Sequence, residues 1–147
     1  RLFTTIREER GLAYSVYSFR SAYADAGAWG VYAGTTPKKA HLVLDLVAAE
    51  LERMATEPVS PAELERAKGA IRGGVALSME DTNARMVRLG RDELVGKPHL
   101  SVDEVIAQVE AVTGADVLAV AETLFSRPKV IGAVGPFSSS DLERHVA

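Results

Sequence analysis

Residues 6–19 constrain the fold of this chain more than any other stretch, because a helix, a glycine and a strand follow one another there. Apolar residues followed by a run of charged ones are typical of the last turns of a helix, and Gly11 can adopt the positive φ that ends one. From Ala13 the hydrophobic period changes to two, which predicts a strand. Arg7 and Tyr14 therefore lie on either side of a chain reversal, where both side chains could reach one ligand.

Arg7 and Tyr14 are the candidate site residues. A guanidinium and a phenol can each donate a hydrogen bond to a peptide carbonyl, or to an oxyanion that develops from it, without acting as a nucleophile. The competing interpretation is structural: Arg7 pairs with a nearby Glu on its helix, and Tyr14 is half-buried on the sheet. On spacing alone, the structural interpretation is the favoured one.

A β-hairpin follows the reversal. The first strand runs from about residue 13 to 22, a turn-like cluster occupies residues 23–27, and alternation returns over residues 28–34. Gly30 and Gly34 share a face with Tyr32, which indicates that another group approaches that face closely. A helix packed tightly on the sheet is the preferred explanation over a ligand.

Helix-start signals recur through the rest of the chain. Ser60, Pro61 and Glu63 combine a capping hydroxyl, a proline in the first turn and an acid at the third position. Comparable signals occur at Thr36, at Asp81 or Thr82, at Ser101 and at Thr113. The predicted buried stripes are Ala40, Leu44, Val47, Leu51 and Met54; Leu64, Ala67, Ile71 and Val75; Val87, Gly90 and Leu94; Val102, Val105, Ile106 and Val109; and Val117, Val120, Ala121 and Leu124.

Residues 129–135 are apolar on both faces and predict a short buried strand, and residues 139–146 predict a terminal helix. Three strands and about six helices predict an α+β fold, a two-layer sandwich in which helices cover one face of an antiparallel sheet. Three strands are few for so much helix, and the chain opens inside a helix without a capping residue. We therefore expect residues 1–147 to be most of a domain truncated on its N-terminal side, with its leading strands missing.

Composition excludes several classes of function. The chain has no Cys, so disulfides, thiolate metal sites and cysteine nucleophiles are absent. Its 17 basic and 20 acidic residues are interspersed, and we expect neither a nucleic-acid partner nor a membrane partner, since no apolar run approaches a membrane span. His41, His99 and His145 are far apart in sequence and lack ligand spacing, so each is expected to be an ordinary surface residue and no metal is expected on this chain. Four acidic residues that could act as acids or bases are expected to form a solvated face: Glu8, Glu9, Asp81 and Asp92.

The segment IREERGLAYSVYS resembles the second, non-catalytic domain of the pitrilysin and insulinase superfamily of zinc metallopeptidases, which includes the mitochondrial processing peptidases. The resemblance continues along almost the whole chain, through residues 63–68, 77–81, 85–94, 101–106 and 111–117. It implies two similar α+β domains that enclose a peptide substrate, with zinc and its His-x-x-Glu-His motif in the first domain. It further implies that Arg7 and Tyr14, seven residues apart, orient the substrate or stabilise the transition state near that metal.

The resemblance also implies the partners. They are a zinc-bearing homologous domain, from the same chain or a partner subunit, and a peptide substrate that binds as an added strand. This fragment alone is expected to be inactive and to self-associate through an unpaired sheet edge. The alternative is an inactive scaffold subunit, like the respiratory-complex core proteins that resemble these peptidases. A bacterial cytoplasm is favoured over a mitochondrial matrix, without the compartment being fixed.

Overall fold

The computed structural model describes residues 1–145 and has an α+β fold. The chain forms two compact units, one of residues 1–57 with the described chain from residue 118 onwards, and one of residues 58–117. The elements are an N-terminal π-helix (Phe3–Glu9), strands β1 (Ala13–Ala22) and β2 (Gly27–Thr35), helices α1 (Ala40–Thr56), α2 (Pro61–Ser78), α3 (Thr82–Leu94), α4 (Val102–Ala111), α5 (Gly114–Phe125) and α6 (Ser139–Leu142), and 3-10 turns at Pro37–Lys39 and Glu143–His145.

The N-terminal helix ends where the sequence predicts. Gly11 has a φ of 56°, its N–H donates to the carbonyl of Arg7 over 3.1 Å, and the N–H of Leu12 donates to that of Ile6 over 2.8 Å. Each of these closing bonds spans one residue more than in an α-helical cap, as expected for a helix of the wider π type. Positive φ at Gly11 therefore sets the end of the helix, whereas the π geometry was not visible in the sequence.

The predicted hairpin is confirmed, with one change in register. The antiparallel strands pair from Ala13 with Thr35 to Ala22 with Gly27, but one extra residue, Tyr14, lies in β1 between the first two pairs. This is a β-bulge, which turns the bulged side chain out of the regular alternation. The prediction that a period of two begins at Ala13 is therefore wrong at Tyr14, because the regular alternation starts only after the bulge.

The group that approaches Gly30 is neither a helix nor a ligand. Phe19 is its cross-strand partner, and a Cβ at Gly30 would lie 2.7 Å from the ring Cζ of Phe19. Gly34 is similarly covered by the hydroxyl of Tyr32, at 3.4 Å. The glycines make room for aromatic rings of the hairpin itself, and the predicted helix contact on this face is wrong.

Helices cover one face of the sheet, as predicted. The core of the first unit consists of Ile6, Ala13, Val16 and Val43, and joins the N-terminal helix, β1 and α1. On the same face Trp29 packs against Phe125 of α5, with ring centroids 4.9 Å apart. On the opposite face three aromatic rings are about half-exposed: Tyr17, Phe19 and Tyr32.

The second unit is held by the pairing of α2 with α4. Lys68 is buried there, and its ammonium donates to the backbone carbonyl of Glu110 over 2.8 Å. The predicted capping residues are confirmed in four helices: the Ser60 hydroxyl accepts from the N–H of Glu63 in α2, Asp81 caps α3, a reciprocal capping box opens α4 at Ser101, and the Thr113 hydroxyl accepts from the N–H of Asp116 in α5. The predicted cap at Thr36 is wrong, because its side chain makes no capping hydrogen bond.

Several predicted buried stripes are wrong in this unit. Ile71 is 49% exposed and Leu94 is 89% exposed. Added side chains at Gly73, Gly74 and Gly90 would meet open space, so these helical glycines do not mark a close approach within the described chain. A helical period predicts an apolar face, but it does not supply the neighbour that would cover that face.

Residues 129–135 form no strand, contrary to the sequence prediction. Val130 and Val134 are almost fully exposed, because β1 and β2 pair with each other and no described strand pairs with this segment. The predicted terminal helix forms over Ser139–Leu142 and continues as a 3-10 turn to His145, while Val146 lies outside the described residues. No helix among residues 1–145 combines the length and apolarity needed to cross a membrane.

Candidate functional site

Arg7 and Tyr14 are brought together by the chain reversal. The guanidinium carbon of Arg7 lies 5.6 Å from the centroid of the Tyr14 ring and 5.0 Å from that of Phe3. Both distances are within the range of a cation–π contact. The two residues predicted to share a ligand therefore share one surface, and Phe3, four residues before Arg7, is a third participant that the sequence argument missed.

Tyr14 points into solvent because of the bulge. Ala13, directly before the bulge, and Val16, two residues after it, are both buried, whereas Tyr14 is 85% exposed. Bulges of this kind often redirect a side chain beside a functional site. The ring of Tyr14 is thus held by a buried backbone while its surface stays available.

The reversal itself is anchored by two hydrogen bonds, one from the end of β2 and one from the 3-10 turn that follows it. The hydroxyl of Thr35 donates to the carbonyl of Leu12 over 2.6 Å, and the ammonium of Lys39 donates to the carbonyl of Gly11 over 2.9 Å. Ile6, immediately before Arg7, is fully buried. Arg7 and Tyr14 therefore project from a well-fixed backbone, which is the condition for presenting donors in a set geometry.

The structural interpretation of these two side chains does not hold. Within residues 1–145, Arg7 forms no ion pair with any Glu or Asp, and the Tyr14 hydroxyl has no hydrogen-bond partner. Nor is Tyr14 half-buried. A cation and a phenol that contact each other but leave their donors unused can hydrogen-bond an oxygen of a bound ligand.

The histidines are only partly as predicted. His99 is half-exposed and lies 3.2 Å from Glu93, as a surface residue would. His41 and His145, however, are brought together, with Nδ1 of His41 3.2 Å from Nε2 of His145, and Asp45 lies 3.4 Å from the other ring nitrogen of His145. The expectation that these two are isolated surface residues is therefore wrong; they join α1 to the last described turn.

No metal-ligand set is visible in the part of the chain that the structure describes, since no three His, Asp or Glu side chains there are placed so that they could hold one metal ion. The carboxylates whose pKa values depart from normal have structural causes. Hydrogen bonds from the hydroxyl and backbone N–H of Thr113 lower the pKa of Asp116, and those from Ser101 lower that of Glu104. These acids cap helices and are not part of the Arg7 and Tyr14 surface.

Comparison with known proteins finds a matching family profile and relatives that are named zinc proteases. Residues 1–71 match the sequence profile of the peptidase M16 inactive domain. An uncharacterized zinc protease of Streptomyces coelicolor is 42% identical over 144 residues, 98% of this chain and 31% of that protein. One from Mycobacterium tuberculosis is 45% identical over 139 residues, 95% of this chain and 32% of that protein. The chain thus spans about a third of the length of these relatives.

Solved structures agree with the fold. A peptidase M16 inactive domain from Pseudomonas fluorescens is 26% identical, with a TM-score of 0.64 over 84% of this chain and 29% of that one. A chain of complex III2 from Candida albicans gives a TM-score of 0.74 over 84% of this chain and 29% of that one, and its 21% identity shows the fold alone.

The class that the fold and these comparisons define is the peptidase M16 inactive domain. The chain belongs to the peptidase M16 family, and the resemblance read from its sequence is confirmed at that level.

Proposed function

We propose that this chain is the substrate-binding, non-catalytic half of a zinc-dependent endopeptidase or processing peptidase that encloses peptide substrates. The observation that carries the proposal is the exposed pair of Arg7 and Tyr14, in contact over 5.6 Å and without hydrogen-bond partners among the described residues. Membership of a family whose relatives are named zinc proteases supports it. The guanidinium and the phenol provide hydrogen-bond donors at this surface and no nucleophile, which suits binding of a substrate oxygen.

In this proposal Arg7 and Tyr14 hold an oxygen of the substrate. The guanidinium and the phenol donate hydrogen bonds to a peptide carbonyl, and these bonds strengthen as negative charge develops on the oxygen. Zinc in the partner domain supplies the activated water and the Lewis acid. The cation–π contact with Phe3 and Tyr14 restricts the guanidinium to one side of the reversal.

The chain's place in the whole protein is part of the proposal. Residues 1–147 would form most of the C-terminal, non-zinc domain, with its leading strands supplied from upstream. The partner would be a zinc-bearing homologous domain of the same chain or of a partner subunit, and this chain alone would be inactive. The length of the relatives, about three times that of this chain, supports this arrangement.

The proposal is tested in the zinc-loaded, full-length gene product with quenched-fluorescent peptides. We expect Arg7→Ala and Tyr14→Phe each to lower kcat about 10²-fold, the usual scale for loss of one oxyanion donor. Arg10→Ala and Tyr23→Phe are matched controls, because both side chains are exposed and neither forms a hydrogen bond, an ion pair or a cation–π contact with the side chains of the pair. Unchanged kcat in folded Arg7 and Tyr14 variants would refute the proposed role.

The alternative function is an inactive scaffold subunit. The likeness to a complex III2 chain shows the fold alone, so it does not favour this alternative over a peptidase. The two functions differ in one property of the full-length assembly. A His-x-x-Glu-His motif upstream or in a partner subunit, together with zinc-dependent cleavage, supports the peptidase; absence of both supports the scaffold.

A further inference from the structure

One face of the hairpin formed by β1 and β2 carries no charged side chain. The register places eight residues on the side opposite the core of the first unit, and none of them is acidic or basic: Ser15, Tyr17, Phe19, Ser21, Ala28, Gly30, Tyr32 and Gly34. We refer to the rings of Tyr17, Phe19 and Tyr32, each about half-exposed, as the aromatic platform. Depletion of charge together with enrichment in aromatic residues is typical of the centre of a binding surface.

The rings of the aromatic platform are held against the sheet. Phe19 lies over Gly30, where an added Cβ would come within 2.7 Å of the ring Cζ, and the hydroxyl of Tyr32 lies 3.4 Å from the place of a Cβ at Gly34. Tyr17 stacks on Tyr32 with ring centroids 5.1 Å apart and meets Phe19 edge-on at 6.5 Å. Because neighbouring groups already restrict these rings, little side-chain entropy is lost when a ligand covers them.

The aromatic platform is continuous with the candidate site. Ala13 and Val16 are both buried, and the bulge puts one extra residue between them, so Tyr14 projects away from the core as Tyr17 does. Three residues of strand separate the two tyrosines, which corresponds to a distance on the order of 10 Å. An extended peptide advances by a similar distance per residue. A peptide with a carbonyl at Arg7 and Tyr14 therefore brings side chains a few residues away onto the platform.

We propose that the aromatic platform is a specificity site that takes apolar side chains of the bound peptide. The proposal rests on the proposed function of Arg7 and Tyr14 and adds the substrate class, which is extended polypeptide with apolar residues within about four positions of the oxygen held there. The division of chemistry along β1 argues for this occupant, since donors for a peptide oxygen lie at one end and uncharged rings follow. The two phenol hydroxyls of the platform can also donate hydrogen bonds to peptide carbonyls.

Binding of two fluorescent peptides to the full-length gene product, with zinc chelated to prevent cleavage, tests the proposal. The peptides have equal length and charge; one carries Phe and Leu where the other carries Ser and Asn. We expect the apolar peptide to bind at least about tenfold more tightly, and Tyr17→Ser to reduce this preference about five- to tenfold. Tyr17→Phe keeps the preference because it keeps the ring. Tyr23→Ser is the matched control, since Tyr23 is exposed at the hairpin turn and lies outside the platform.

Three results would overturn the proposal. The first is an equal preference for the apolar peptide in the Tyr17→Ser variant and the unchanged protein. The second is a thermal midpoint that falls in the full-length Tyr17→Ser variant while the peptide preference stays the same, because another part of the longer protein would then cover the rings. The third is a preference that disappears as the protein concentration rises, because a second copy would then occupy the platform.

The specificity site and the donor role of Arg7 and Tyr14 fail separately. Equal binding of both peptides, together with a lowered kcat in the Arg7→Ala and Tyr14→Phe variants, overturns the specificity site alone. An unchanged kcat in those variants, together with a preference that depends on Tyr17, refutes the donor role and supports the platform as a peptide-binding surface. Absence of binding for both peptides, together with an unchanged kcat, overturns both.

Discussion

Replacing Ile6 with Ala tests whether the core that carries the candidate site is built as described. Ile6 has no exposed surface and contacts β1 and α1 through Ala13, Val16 and Val43. The change removes three carbons from full burial, a transfer cost of about 2.4 kcal/mol at roughly 0.8 kcal/mol per buried CH₂. The cavity that remains adds to this, so we expect a loss of about 3–4 kcal/mol in the free energy of unfolding.

Leu42→Ala is the matched control, because leucine and isoleucine are isomers and lose the same three carbons. Leu42 is 45% exposed on α1 of the same unit, so the transfer cost falls to about 1.3 kcal/mol and water fills the space left. Both variants are compared by urea unfolding of residues 1–147. Trp29, the sole tryptophan, packs on Phe125 in this unit, and its fluorescence reports the transition.

The difference between the two losses in the free energy of unfolding tests whether Ile6 lies at the centre of the core. A loss for Ile6→Ala at least 1.5 kcal/mol larger than for Leu42→Ala, roughly the difference between the two estimates, supports the core described above. Equal losses would refute it, because they would mean that Ile6 does not occupy the centre of the unit. In the full-length protein Ile6→Ala should also lower kcat, since Arg7 follows Ile6 directly.

Three further outcomes follow from local contacts. Ser60→Ala should cost about 1 kcal/mol by removing the α2 cap, and Ser60→Gly only a few tenths, as measured by circular dichroism during urea unfolding. Gly30→Ala should destabilise the chain while Phe19 is present and become neutral or stabilising in a Phe19→Ala background, a coupling that a double-mutant cycle measures. Hydrogen bonds from Thr113 lower the pKa of Asp116 in the folded chain, so the ionised carboxylate should stabilise the fold fully above the ordinary carboxyl pKa of 3.8. This stabilisation should disappear as the pH falls through the lower pKa of the folded state. A difference in the free energy of unfolding between the Asp116→Ala variant and the unchanged chain that persists at still lower pH would contradict this.

Local signals in the sequence predicted local structure well. Positive φ at Gly11, the hairpin of β1 and β2 and the capping serines at residues 60 and 101 each depend on neighbours a few residues away. The predicted chain reversal singled out Arg7 and Tyr14, and the family resemblance implied a functional role for them; the structure brings the two side chains into contact. Spacing alone favoured the structural interpretation, because it carries no information on whether a ring is turned outwards.

Predictions failed where a distant partner decides the outcome. The bulge at Tyr14 depends on pairing with β2, so the alternation in β1 could not show it. The ring of Phe19 over Gly30 is a cross-strand contact, and His41 meets His145 across more than a hundred residues. Ile71 and Val134 were predicted to be buried, but within the described chain Ile71 is only half covered and Val134 is fully exposed.

The central claim, that Tyr14 and Arg7 contact the substrate, is tested most directly by photo-crosslinking. A photoreactive phenylalanine analogue is placed at position 14 of the full-length protein, with zinc chelated to prevent cleavage, and labelled denatured casein is the substrate probe. Tyr23, which is 72% exposed at the hairpin turn, gives the matched control position. We expect a crosslink from position 14 that unlabelled casein competes away, and none from position 23. No crosslink at position 14, or equal crosslinking at both positions, would contradict it.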